Sequence, residues 1–280
     1  MTLPPEIMDK ILEHVSADED GRRTLIACAL VATWWTGPSQ RRLFSSVEID
    51  ENNYRRWINS VVHSGSKDHL LEYVRSMWHG YGGETETKYR MRDLPQDPGV
   101  YFSALRNLHS LTFFSIRIER NRARFHTYFS AFRETLTSLS LDTFSTPFSA
   151  FVALVDYFPN ITTLLLRLFV LEHDERPVPP LSRPLRGKLR LNHVRAGFSG
   201  FLNRFARLNL EYEELLVDTS SLSATAEARF LENSLRISTS TVKVLKLTEE
   251  LRCERPLLVL LIKVTSLPSP LTFKPKPECL

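Results

Sequence analysis

Chemistry on a polypeptide needs groups that attack, ligate or shuttle protons, so the eight histidines, three cysteines and paired acids of this 280-residue chain come first. His14, His63, His69, His79, His109, His126, His173 and His193 each stand alone. None falls in the His-Glu-x-x-His spacing that puts two imidazoles on one helix face around zinc. Cys28, Cys253 and Cys279 are far apart and odd in number, which predicts neither a disulfide framework nor a zinc site and fits a reducing compartment. Cys28 sits in an apolar stretch, which favours a buried, inert thiol over a nucleophile. The Gly-x-Ser-x-Gly turn that lifts a nucleophilic serine above a sheet does not occur. Gly80-Tyr81-Gly82-Gly83 lacks the Gly-Lys-Ser/Thr of a phosphate loop and, with Glu-Thr-Glu-Thr behind it, reads as an exposed loop. Glu213 and Glu214 would face opposite sides of a strand and so share no proton. No catalytic, metal or cofactor constellation emerges, and the expectation is a non-enzyme that acts by binding.

Charge narrows the class of partner. A net charge of +4 is mildly basic, but its lysines and arginines are spread along the chain rather than gathered into a nucleic-acid stripe. Ile116-Arg117-Ile118-Glu119-Arg120-Asn121-Arg122-Ala123-Arg124 is the densest basic run. It reads as a solvated loop and helix start, with an acid- or phosphate-binding patch as the alternative. The first residues, Met1-Thr2-Leu3-Pro4-Pro5-Glu6, show no basic and apolar leader, and the most apolar run, Leu257 to Ile262, is too short to cross a bilayer. The expected location is cytoplasm, nucleus or both, with no membrane.

The elements that would position binding residues begin at Pro4-Pro5, which suits a first helical turn because that turn needs no N–H donors. Ile7, Met8, Ile11, Leu12 and Val15 then share one helix face. A polar run from Ser16 to Gly21 ends this helix, and Asp20 is placed to cap the next. That second helix is expected over Thr24–Trp35, apolar on nearly every side, with Gly37-Pro38 stopping it before a short basic segment, Ser39 to Phe44.

Leu3-Pro4-x-Glu6-Ile7-x-x-x-Ile11-Leu12, then Cys28-x-Leu30-Val31-x-x-x-Trp35, then Arg41-x-Leu43-Phe44, resembles the F-box of fungal F-box proteins over nearly all of residues 1–49. The resemblance implies a three-helix module that docks the Skp adaptor of a cullin ubiquitin ligase through Leu3, Pro4, Ile7, Ile11, Leu30, Val31 and Trp35. Of the two adjacent indoles, Trp34 and Trp35, the spacing selects Trp35. The chain departs from the family at Ala32-Thr33, where many relatives carry a second cysteine. The alternative for this segment is a helical cap whose apolar face packs on the rest of the chain.

Residues 50–280 read as a repeat array. An apolar-x-apolar pair recurs at Leu111-x-Phe113, Leu139-x-Leu141, Leu164-x-Leu166, Leu189-x-Leu191, Leu215-x-Val217, Leu245-x-Leu247 and Leu271-x-Phe273, at steps of 25 to 30 residues. Looser copies precede them at Val47-x-Ile49 and Met77-x-His79. Leu108, Leu136, Ile161, Arg186, Tyr212, Val242 and Pro268 sit three residues upstream of the seven pairs. Each pair is a short strand with alternate residues turned inward, and strands so far apart must run parallel with crossovers between them. Helix-like crossovers are expected over Phe125–Phe132, Phe148–Phe158, Leu222–Leu235 and Leu257–Val264, while the prolines between Arg176 and Pro184 demand an extended one. The pattern resembles irregular leucine-rich repeats, lacking their usual asparagine, over roughly residues 70–280.

The expected fold class is therefore α/β, a three-helix F-box-like module followed by a leucine-rich-repeat solenoid of parallel strands with helical crossovers. The expected function is a substrate receptor of an SCF-type cullin ubiquitin ligase, with an unknown protein substrate held by the strands' outward residues. Phe114, Arg167, Lys188 and Arg190 are the candidates there, and the three cations would suit an acidic or phosphorylated segment. The rival expectation is a ligase-independent leucine-rich-repeat scaffold.

Overall fold

The protein is described by a computed structural model for residues 3–18, 20–50, 53–57, 59, 68–80, 89–90, 102, 104–114, 116–117, 128–143, 145–168, 170–172, 181–192, 210–218, 244–249 and 258–263. It is an α/β chain with parallel strands and several helices. It forms two compact units, Met1–Leu139 with Tyr157–Asn160, and Ser140–Asp156 with Ile161–Leu280.

The first unit opens with three helices. α1, Pro5–Ala17, starts where the two prolines predict, and the Pro4 carbonyl accepts the N–H groups of Ile7 and Met8, both at 3.1 Å. Met8 and Leu12 are buried against Leu25 of α2, Gly21–Val31, and Val15, Cys28, Trp35 and Leu43 pack around them. Asp20 occupies the position before α2, yet its carboxylate does not cap it. Its backbone, at φ −92° and ψ 11°, is not the extended form from which a side chain reaches back to the first N–H groups, and the carboxylate lies instead 3.5 Å from Arg23.

The single long helix expected over Thr24–Trp35 is corrected to two. α2 stops at Val31, Ala32 is extended at φ −155° and ψ 148°, and α3 runs over Thr33–Leu43 with Gly37 and Pro38 inside it. Polar ties at the joint favour the break. Trp35 N–H donates to the Ala32 carbonyl at 3.0 Å, and Thr36 Oγ1 reaches back to the Ala29 carbonyl at 2.9 Å. Pro38 removes one helical donor, a loss offset by packing of Trp35 and Leu43 along α3.

The strands follow as alternation predicts. In the first unit β1, Ser46–Ile49, pairs in parallel with β2, Ser76–Gly80, and β2 with the later strand Ser110–Phe114. Between these lie two single turns, α4, Tyr54–Trp57, and α5, Asp68–Leu71, and a short strand β3, Tyr89–Arg90. Ser110–Phe114 is then β4, and β3 pairs in parallel with β5, Ile116–Arg117. Val47, Met77 and Leu111 align in one row and Ile49, His79 and Phe113 in the next, which is the register read from the repeats. The Ser45, Arg75 and His109 carbonyls each accept two N–H groups from the start of a following strand, at 2.8–3.0 Å. Behind the strands Phe102, Phe113, Phe129, Phe132 and Phe158 form a buried aromatic cluster.

β6, Ser138–Asp142, spans the boundary of the units, and β7, Ser145–Pro147, leads into α6, Phe148–Tyr157, an almost wholly buried helix where a crossover is predicted. β8, Thr163–Arg167, and β9, Val170–Glu172, follow. β10, Leu185–Asn192, pairs in parallel with β8 and with β11, Leu210–Asp218, and β11 with β12, Val244–Glu249. Leu164, Leu189, Leu215 and Leu245 fall in one row, as the repeat spacing requires.

Four expectations are corrected here. Leu257–Val264 is no helix: β13, Leu258–Lys263, is a strand antiparallel to β12. A short apolar run rich in β-branched residues satisfies a strand, whereas a helix wants a longer periodic run. Arg186, aligned with buried Leu136 and Ile161, is exposed, and Leu185 takes the inward place. β10 starts four residues before Leu189, so its alternation turns Leu185 and Leu189 inward and Arg186 outward; a register shift against β11 lies at Gly187/Lys188, with Gly187 at φ 97° where a side chain would strike the Thr162 carbonyl. Gly80 belongs to buried strand rather than to an exposed loop. The expected helix Phe125–Phe132 is, over its described residues, one helical step at Tyr128-Phe129 and a 3₁₀ turn at Ser130–Phe132. The expected crossover Leu222–Leu235, the pair Leu271-x-Phe273, Arg120 to Arg124 and the prolines of 177–180 lie outside the described residues.

Candidate functional site

Two surfaces carry side chains whose exposure the folding of a lone chain does not explain. The first lies on the opening helices. Met8 and Leu12 take the inward stripe of α1, so the neighbouring stripe faces outward: Leu3, Ile7 and Ile11 are 41%, 47% and 39% exposed. On α2 the inward places go to Leu25 and Cys28, and Ile26, Leu30 and Val31 are left 47%, 81% and 77% exposed. Soluble chains scatter single apolar residues over their surface, whereas these fall at helical spacing on two packed helices. Pro4 is exposed at the head of the same stripe.

Of the residues the sequence assigns to docking, Leu3, Pro4, Ile7, Ile11, Leu30 and Val31 thus share exposure. Trp35 stands apart. Its ring packs on the inner cluster of Met8, Leu12 and Leu25, while Trp34, 5.1 Å away between ring centres, is the exposed indole. Ile26 was missed, because a helix read as apolar all round gives no means of choosing its outer face.

The second surface is the face of the strands turned away from the buried leucines. In the second unit it holds Arg167, Lys188 and Arg190, but two of these cations are neutralised at home. Arg167 lies 3.4 Å from Asp142, and Lys188 lies 3.1 Å from Glu214. Arg186 and Glu211 add a third cross-strand pair at 2.7 Å. Arg190 stands between outward Leu165 and Leu216 in the row register, half-buried, and its Nε meets no acceptor among the described residues. The three-cation patch expected from sequence therefore reduces to one. Register itself carried the missing signal, since Lys188 is aligned with Glu214.

In the first unit Phe114 is half-buried and stacks on Trp78, with ring centres 5.2 Å apart and planes 29° apart. Trp78 lies one strand away in the row shared with Glu48 and Thr112. In sequence this strand is only a loose copy of the repeat, which hides the outward Trp78.

The strongest perturbation of a titrating group belongs to the interior. Burial beside the rings of Phe102 and Phe113 pushes the His79 imidazole down to about 4, so it is neutral at pH 7. Burial raises the Tyr212 hydroxyl well above its usual range. Both groups sit in the core rather than in a cleft. Among the described residues no three His, Cys, Asp or Glu gather as metal ligands, and no helix is long and apolar enough to cross a membrane. Compared with protein-family models and with curated proteins, the chain matches none.

Proposed function

We propose that this chain is a substrate receptor of an SCF-type cullin ubiquitin ligase, a non-catalytic subunit. In this reading α1, α2 and α3 form an F-box-like module that docks the Skp adaptor, and the later strands are leucine-rich repeats that hold a target protein. The observation that carries the reading is the paired outward stripe, Leu3 just before α1 and Ile7 and Ile11 on it, with Ile26, Leu30 and Val31 on α2. Burying such a stripe against an apolar partner releases about 25 cal/mol for each Å² removed from water, a gain the free chain forgoes. The repeat half of the reading is supported by the row register of Val47, Met77 and Leu111 in one unit and of Leu164, Leu189, Leu215 and Leu245 in the other. The receptor would contribute proximity alone, holding a substrate lysine near a charged ubiquitin-conjugating enzyme.

Co-purification of adaptor and cullin with the full-length chain tests this. Ile7→Asp with Ile11→Asp alters two exposed positions, so the expected result is an unchanged melt and loss of both ligase subunits. Undiminished co-purification would overturn the reading.

A further inference from the structure

The outward face of β1, β2 and β4 differs from the cationic face of the second unit. Its residues are Ser46 and Glu48 on β1, Ser76, Trp78 and Gly80 on β2, and Ser110, Thr112 and Phe114 on β4. Ser46, Ser76 and Ser110 make one row of hydroxyls, Glu48, Trp78 and Thr112 the next, and Gly80 and Phe114 a third. Two large aromatics on so small and polar a face need a cause. Gly80 supplies the seat, because a Cβ there would lie 2.6 Å from Phe114 Cβ and 2.9 Å from the Trp78 ring. Only a residue without a side chain lets the indole lean over the strand and stack on Phe114.

The result is a half-buried aromatic plate, held rigid at both ends, with an exposed carboxylate beside it in the same row. Among the described residues Glu48 forms no ion pair, and no lysine or arginine projects from this face of the three strands. An aromatic face attracts a cation through its quadrupole, and an adjacent carboxylate adds direct charge attraction. A planar guanidinium satisfies both at once, stacking on the ring while its N–H groups reach the acid. The serine row alongside offers hydrogen bonds to the backbone of an extended segment.

We propose that this face binds an extended protein segment through one arginine or lysine side chain, seated over Trp78 and against Glu48. The inference deepens the substrate-holding half of the proposed function and rests on it, naming the target's contact as a basic residue. It moves that contact from Arg167, Lys188 and Arg190 to the opposite charge on the earlier strands.

The test is selection of a displayed random heptapeptide library on full-length protein, wild type and Glu48→Arg. Wild-type selection is expected to enrich peptides with a single arginine or lysine at a fixed place. The synthesised winner should bind Glu48→Arg roughly tenfold more weakly, and its citrulline counterpart should lose about as much on wild type. Trp78→Ser should reproduce the loss, but Glu48, exposed on an edge strand, is the decisive position because its replacement leaves the fold undisturbed. Enrichment of acidic or uncharged peptides, no enrichment, or a winner indifferent to Glu48→Arg would each overturn the inference. Adaptor co-purification with the same Glu48→Arg protein separates the outcomes: retained adaptor with no peptide selection sinks this inference alone.

Discussion

Lowering the pH from 7.5 to 5.5 should destabilise this fold through His79. The imidazole is sealed among Phe102 and Phe113, and burial holds its proton affinity at about 4 against 6.5 in an unfolded chain. The folded state therefore binds fewer protons than the unfolded one between those values. The stability is fully present above 6.5, falls as the pH drops below it, and levels off under about 4. At 1.36 kcal/mol per pH unit the full loss is about 3 kcal/mol, of which about 1.4 kcal/mol has occurred at pH 5.5. At that pH ordinary carboxylates remain ionised, so the effect is not masked by acid titration. Replacing the imidazole by a side chain of similar volume with no proton to bind, His79→Leu, should remove it. Urea denaturation at both pH values checks this: wild type should lose about 1.4 kcal/mol more than His79→Leu. Equal losses in the two proteins would refute the reasoning, because the imidazole would then be reached by water or paired in its charged form.

Truncation across one strand tests the alternation. Leu141→Ala should cost about 2–5 kcal/mol and Ser140→Ala under about 0.5 in thermal melts, and equal costs would contradict the inward and outward assignment. Gly187→Ala should cost more than about 1 kcal/mol, because φ is 97° and the new Cβ meets the Thr162 carbonyl; a neutral melt would contradict that close approach.

The strand register was legible because Leu-x-Leu pairs at even steps leave a parallel ladder one way to bury every leucine. Once Leu189 aligns with Leu215, the Lys188–Glu214 pair follows from neighbouring positions. The break at Ala32 was not legible. Alanine favours helix, and the Thr36 hydroxyl that satisfies the Ala29 carbonyl at the end of α2 comes from the next helix, where local propensity does not show it. Arg186 misled because β10 begins at Leu185, so the position that lies ahead of the strand at Leu136 and Ile161 falls inside it here and faces outward. At the helical surface the sequence supplied six exposed residues and, of the two indoles, the one that packs inward. Spacing places Trp34 and Trp35 one residue apart, and only the direction of α3 decides which of them meets Leu12 and Leu25. The aromatic plate escaped notice because Trp78 and Phe114 lie far apart in sequence and Gly80 looks like part of a loop.

Isothermal titration of the purified Skp adaptor with the full-length chain tests the central claim most directly. Leu30 and Val31 are 81% and 77% exposed, so charges placed there leave the free fold intact while disrupting an apolar interface. Saturable binding with a negative heat-capacity change, the mark of apolar burial, is the predicted result for wild type. Leu30→Asp with Val31→Asp should weaken it about a hundredfold or more. Absence of binding, or binding that the double substitution leaves untouched, would contradict the account.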